Sequence, residues 1–194
     1  LLFLVQPLIA KQILPWFGGS SAVWTTCMLF FQGALLLGYA YSDVTPRWLG
    51  SKKQPRVHMV LALLALLTLP ILAPESWKPV GGEEPVSRIL MLLAVTIGLP
   101  YVLLSTTSPL IQSYFARVYP GRDPYRLFAL SNAASLIALV AYPLVIEPFV
   151  GTRVQALGWS ALFAVFVLLV AALAWRVGRV EGGRLRSVSS ESRR

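Results

Sequence analysis

Five stretches of this sequence carry no Asp, Glu, Lys or Arg: residues 12–42, 57–74, 89–116, 127–146 and 154–175. A helix needs about 20 apolar residues to cross the hydrocarbon layer of a bilayer, so each stretch is long enough, or nearly so, for one crossing. A water-soluble domain hides its apolar residues in one core and coats itself with charge. Here 13% of the 194 residues are charged, about half the usual share, which is too little for such a coat. Lipid is the solvent this chain suits.

The stretch 12–42 is too long for one helix, and Pro15-Trp16-Phe17-Gly18-Gly19-Ser20 breaks it near its start. The sequence therefore predicts an all-α, polytopic membrane domain over residues 1–176. Its six helices are expected at about residues 1–14, 22–41, 57–73, 86–116, 125–146 and 154–175. Residues 177–194 are rich in Gly, Ser and Arg and cannot build a core, so a basic, disordered tail is expected, solvated or lying on anionic headgroups. A basic leader and a small-x-small cleavage site are both missing near Leu1, so no signal peptide is expected.

Lys and Arg set the orientation. Segment 43–56 holds Arg47, Lys52, Lys53 and Arg56, segment 117–126 holds Arg117, Arg122 and Arg126, and six arginines follow Trp175. These basic segments alternate with 74–88, where Glu75, Glu83 and Glu84 outnumber Lys78 and Arg88, and with 147–153, which has only Arg153. Positive residues stay in the cytoplasm. A multi-pass protein of the inner (cytoplasmic) membrane, with both termini cytoplasmic, is the expectation.

The net charge of +9 follows from this placement, and no interleaving of aromatic and basic residues points to nucleic acid. Cys27 is the single cysteine and His58 the single histidine, so neither an internal disulfide nor a His/Cys metal site is predicted. Gly18-Gly19 lacks the lysine of a phosphate-binding loop. His58 is placed at the cytoplasmic interface among lysines and arginines, with no Ser-His-Asp grouping. Neither enzymatic activity nor a cofactor is expected.

Polar groups inside a bilayer are costly and invite a functional question. Gln6 and Gln32 fall near the midplane by counting residues from the turn at Gly18. Helix four carries Ser105-Thr106-Thr107-Ser108-Pro109 and Gln112, and helix five begins with Ser131, Asn132 and Ser135. Gln6, Gln32, Thr106, Gln112 and Asn132 are the candidate solute-binding residues. The competing reading makes the same side chains interhelical glue. Lys11 and Glu147 are candidates for a charge pair at the outer side, or for separate snorkelling charges. Gly33, Ala34 and Gly38, and likewise Ala133, Ala134 and Ala138, offer small-residue faces for helix packing, within the bundle or against a partner.

Several of these segments resemble a known family. Pro7-Leu8-Ile9-Ala10-Lys11, Leu14-Pro15, Gly18-Gly19-Ser20, Thr26-Cys27-Met28-Leu29-Phe30-Phe31-Gln32, Leu37-Gly38-Tyr39-Ala40-Tyr41, Ser105-Thr106-Thr107-Ser108-Pro109, Asp123-Pro124-Tyr125-Arg126 and Glu147-Pro148 are similar to the membrane region of bacterial fused major-facilitator/spermidine-synthase-like proteins. The resemblance runs from Leu1 to about Trp175. It implies half of a major-facilitator bundle, with Gly38, Asp43 and Arg47 in a degenerate form of that superfamily's loop between helices two and three. Family members often continue into a soluble aminopropyltransferase-like domain, for which this sequence has no room, so no transferase activity is assigned. Two readings of function follow. One is a transporter-like half-unit that pairs with itself or another chain to enclose a solute path. The other is a non-catalytic accessory subunit within a larger membrane complex. Both have the lipid bilayer and further protein subunits as partners.

Overall fold

The computed structural model describes residues 1–79, 81, 84–119, 121 and 125–191. Among the described residues all regular structure is helical. Helix α1 is Leu2–Phe17, α2 is Ser21–Gly50 and α3 covers 51–65. Helix α4 comprises Pro85–Leu93, a π-helical turn at Ala94–Gly98 and Leu99–Val118. Helix α5 comprises Tyr125–Ala141, a π-helical turn at Tyr142–Ile146 and Glu147–Phe149. Helix α6 is Thr152–Glu191. In a bilayer every backbone N–H and C=O must find its partner within the protein, and continuous helices do this for the apolar runs. Among the described residues four helices are long and apolar enough to cross a membrane: Ser21–Gly50, Pro85–Ser113, Tyr125–Phe149 and Thr152–Leu173. Helix α1 is as apolar but shorter.

The break between α1 and α2 lies where the sequence places it. Gly18 takes φ 80°, and the Ser20 hydroxyl accepts a hydrogen bond from the Val23 backbone N–H at 3.4 Å, capping α2. Elsewhere the boundaries differ from the expected ones. Helix α2 does not stop at Tyr41 but runs to Gly50, where φ 67° reverses the chain directly into α3. That left-handed conformation costs glycine little. Segment 43–56 is therefore two abutting helix ends, and Asp43 and Arg47 sit on helix α2 rather than in a loop. The third helix starts earlier and ends earlier than 57–73, because Pro70 cannot continue a helix and pushes Leu69 into an extended conformation, ψ 151°. Helix α6 continues to Glu191, across the segment expected to be unstructured. No proline interrupts residues 152–191, and extending an existing helix is far cheaper than nucleating one.

Helix α1 is central and touches α2, α4, α5 and α6. Its Val5, Ile9 and Ile13 are buried with Phe31 of α2, Ile89, Leu93, Ile97 and Tyr101 of α4, and Trp159, Phe163 and Val167 of α6. Helix α2 crosses α4 at Gly38, where a Cβ would fall 1.7 Å from Ser105 Oγ and 2.9 Å from the Val102 carbonyl oxygen. Gly38 is thus a packing residue inside the bundle. Gly33, one face over, has nothing within 4 Å of its Cβ position. Helix α5 leans on α1 and α4, and Tyr125–Ala141 buries no residue.

Residues 66–79 form a cap across the end of the bundle that also holds Gly18. Gln12 of α1 reads one stretch of it like a paired strand: its Nε2 donates to the Ile71 carbonyl at 3.2 Å and its Oε1 accepts from the Ala73 N–H at 3.1 Å. The Ile71 N–H donates to Ser160 Oγ of α6 at 3.2 Å. Arg88 donates to the carbonyls of Ser76, Trp77 and Lys78, and the Lys78 ammonium sits 5.4 Å above the Trp16 ring. Each bond satisfies backbone that would otherwise be unpaired where the helices end.

Candidate functional site

A polar group near mid-span joins two helices. Gln6 Nε2 of α1 donates to the Tyr101 hydroxyl of α4 at 2.8 Å. Tyr101 is 1% exposed and its ring packs 5.0 Å from that of Phe31. Tyr39 of α2 is half exposed. Gly98 and Pro100 explain the local shape. The π-helical turn at Ala94–Gly98 inserts an extra residue just before a proline that lacks a backbone donor. Thr96 reinforces the turn by donating to the Leu92 carbonyl at 2.6 Å.

Gln6 therefore bonds to Tyr101, and Gln32 is exposed on α2. Thr106 is fully buried and donates to the Leu103 carbonyl of its own helix at 2.7 Å. Ser105 likewise donates to the Val102 carbonyl at 2.7 Å, and Thr107 to that of Leu103 at 3.1 Å. Hydroxyls in helices commonly bond backward to their own backbone, and here that consumes the donors that were expected to line a cavity. Gln112 donates to Ser108 Oγ at 3.0 Å on the same helix. Asn132 is exposed on α5, so it and the buried Thr106 do not line one cavity. Asp43 and Arg47 form an ion pair at 2.7 Å, but both are exposed, and such a pair contributes little to stability. Of the segments that carry the resemblance, Asp123 and Pro124 lie outside the described residues.

Lys11 and Glu147 do meet: Lys11 Nζ is 3.3 Å from Glu147 Oε1, joining α1 to α5. Five residues before Glu147 on α5 is a residue that sequence reading did not single out, Tyr142. It is 5% exposed, and its hydroxyl has no hydrogen-bond partner among the described residues. The signal was available in Pro143 and Pro148, two prolines flanking a glutamate inside an apolar run.

His58 is not at a basic surface. It is 6% exposed, its ring lies 5.8 Å from that of Tyr41, and its Nδ1 has no partner among the described residues. It borders a cavity of about 20 Å³ between α3, α4 and α6, with Thr107, Leu110 and Val170. One water needs about this much space. The reversal at Gly50 folds α3 back onto the bundle and buries the imidazole. Among the described residues no three His, Cys, Asp or Glu side chains gather as metal ligands.

No protein-family model matches this chain, and neither does any curated protein or solved structure. What stands on its own is the class: a multi-pass, all-helical protein with apolar helices of membrane-spanning length and polar groups placed within them.

Proposed function

We propose that the chain is a transporter-like half-unit of the major-facilitator type. Six helices cross the inner membrane with both ends in the cytoplasm, and pairing with a second copy or another chain completes a solute path. The observation that carries this reading is the Gln6–Tyr101 bond, which joins α1 to α4. Two helices contribute bonded polar groups at mid-span, and a third, α2, carries the half-exposed Tyr39. Intramembrane polar groups held between helices are where solute paths run. Gln32 and Asn132, exposed on α2 and α5, add amides that lipid cannot satisfy. The chain itself acts on no bond.

The second reading, a non-catalytic accessory subunit, rests on Ser105, Thr106 and Thr107, whose hydroxyls are all taken by backbone carbonyls. Reconstitution into liposomes separates the two. Uptake from a panel of small solutes, lost in Gln6→Leu and reduced in Tyr39→Phe while the helical content stays intact, supports transport. Absence of uptake, together with co-purification of a fixed set of membrane subunits in mild detergent, supports the accessory role. A reporter active only in the cytoplasm, fused after Arg194, tests the orientation. Silence on a well-expressed chain refutes it.

A further inference from the structure

We infer that Lys11, Glu147 and Tyr142 form a binding site for a small zwitterion, a molecule carrying one ammonium and one carboxylate or phosphate group. The geometry of α5 is the starting point. Residues five apart on an α-helix point to different sides. In the π-helical turn Tyr142–Ile146 the Glu147 N–H bonds to the Tyr142 carbonyl, and the extra residue brings Tyr142 and Glu147 onto one face. Tyr142 is 5% exposed, so this face of α5 is turned into the bundle at Tyr142 and toward Lys11 at Glu147. Helix α1 supplies Lys11 from the other side at 3.3 Å.

Three features separate this group from a structural clasp. Lys11 and Glu147 side chains are 38% and 44% exposed, so a ligand can reach both charges. The Tyr142 hydroxyl is buried and unpartnered among the described residues. Leaving such a group unpaired is costly, and a ligand at the pair relieves it. π-helical turns of this kind, finally, occur often at functional sites. Charge balance selects the ligand class. An anion on Lys11 would strand Glu147, and a cation on Glu147 would strand Lys11; an unpaired charge in a partly desolvated site is strongly disfavoured. A zwitterion replaces the internal pair with two new pairs and strands neither charge. Lys11 lies six residues before Phe17, roughly 9 Å below the end of α1, a depth that a free solute and a lipid headgroup both reach. As a solute site the assignment rests on the transporter reading; as a headgroup site it stands without it.

The test uses the full chain in a non-ionic detergent. In the first arm, glycine, β-alanine and phosphoethanolamine are titrated against it, with acetate and ethylammonium as single-charge controls. In the second, native mass spectrometry compares phosphatidylethanolamine with phosphatidylglycerol of the same acyl chains. The expected result is saturable binding of at least one zwitterion, at least tenfold weaker for the controls. Lys11→Gln/Glu147→Gln should weaken it at least tenfold, and Tyr142→Phe roughly threefold to tenfold, the loss of one ordinary hydrogen bond. The exchanged pair Lys11→Glu/Glu147→Lys should retain most of the binding, which guards against a double variant that merely misfolds. Binding in the first arm identifies a solute, and binding in the second alone identifies a headgroup. No saturable binding in either arm, or binding indifferent to Lys11→Gln/Glu147→Gln, overturns the site. Zwitterion binding without any uptake keeps the site and removes the transport reading. Uptake that survives Lys11→Gln/Glu147→Gln removes the site and keeps the transport reading.

Discussion

Helices α4 and α5 look alike in sequence: each is long, apolar, interrupted by proline and dotted with Ser, Thr, Asn or Gln. Inside the bundle they differ sharply, because 56% of the spanning part of α4 is buried within the chain and only 6% of that of α5. Composition does not produce this difference. Lipid tails are as apolar as leucine, so helices in a bilayer gain little from hydrophobicity when they associate, and close packing and polar bonds decide instead. Helix α4 has both: the flat crossing at Gly38 of α2, and the Tyr101 hydroxyl on Gln6. Helix α5 touches α1 and α4 without burying a residue of Tyr125–Ala141, carries the Lys11–Glu147 pair and the buried Tyr142 toward its other end, and turns Leu136, Ile137 and Leu144 outward.

The largest effect expected from this contrast is at Gly38. Gly38→Ala drives a methyl into Ser105 and into the Val102 carbonyl, and a backbone oxygen at 2.9 Å cannot rotate away. Overpacking of this kind costs about 1–3 kcal/mol, to be read as a loss of thermal stability in detergent. Gly33→Ala, with open space at its Cβ position, should leave the unfolding temperature unchanged. Equal losses in the two variants would break the claim that close approach holds α4 in place.

A smaller effect is expected at the Gln6–Tyr101 bond. Interhelical hydrogen bonds in membrane proteins are worth about 0.6 kcal/mol on average and about 1.7 at most. Tyr101→Phe and Gln6→Leu should each destabilise by about that amount, and the double variant by less than the sum, because one bond is lost only once. Strict additivity would show that the two residues act independently and would leave α4 held by packing alone.

Smaller again is Pro143→Ala. Restoring a backbone donor favours a regular α-helix in place of the π-helical turn, which would rotate Glu147 away from Tyr142 and Lys11. The expected change in stability is below about 1 kcal/mol, the ceiling for a partly exposed ion pair. The separation of Lys11 and Glu147, measured by charge-reversal rescue, should nonetheless increase. Rescue as efficient as in the parent chain would mean that the turn does not set the site.

Much of this was legible in the sequence, for identifiable reasons. Charge-free runs mark helices because lipid admits nothing else, and the Gly18–Ser20 break could be seen because glycine and a serine cap have local meanings. Lys11 and Glu147 stand out as isolated charges beside apolar runs, but the sequence leaves a pair and separate snorkelling equally open, and the meeting of α1 with α5 decides for the pair. In segment 43–56 charge is a poor loop signal, because the chain turns on Gly50 and the charged residues Asp43 and Arg47 stay helical. Thr106 looked like a cavity residue since sequence shows a hydroxyl but not whether its own helix has already used it. Tyr101 and Tyr142 were overlooked because a tyrosine in an apolar run reads as one more aromatic, and its polar end matters only once the neighbouring helix is known. His58 was assigned to the surface by its basic neighbours, and only the reversal at Gly50 buries it.

The smallest expected effect on the fold is at Asn132, where the contrast between the two helices is most informative. Asn132 is exposed within a membrane-spanning segment. An amide facing hydrocarbon is costly, and nothing in the chain's own packing requires one there, since the neighbouring helix turns bury no residue. Asn132→Ala should therefore change the stability of the isolated chain by less than about 0.5 kcal/mol, as surface substitutions usually do. If a partner subunit supplies the missing hydrogen bond, the same substitution should weaken association by about 1 kcal/mol, roughly fivefold in the dissociation constant. Thermal unfolding at high dilution reads the first quantity and a detergent-dilution association assay the second. Unchanged stability with weakened association would show that α5 belongs to the interface and α4 to the core. A loss of stability as large as that of Tyr101→Phe, with association unchanged, would mean that α5 is anchored like α4 and that the difference in burial carries no functional division.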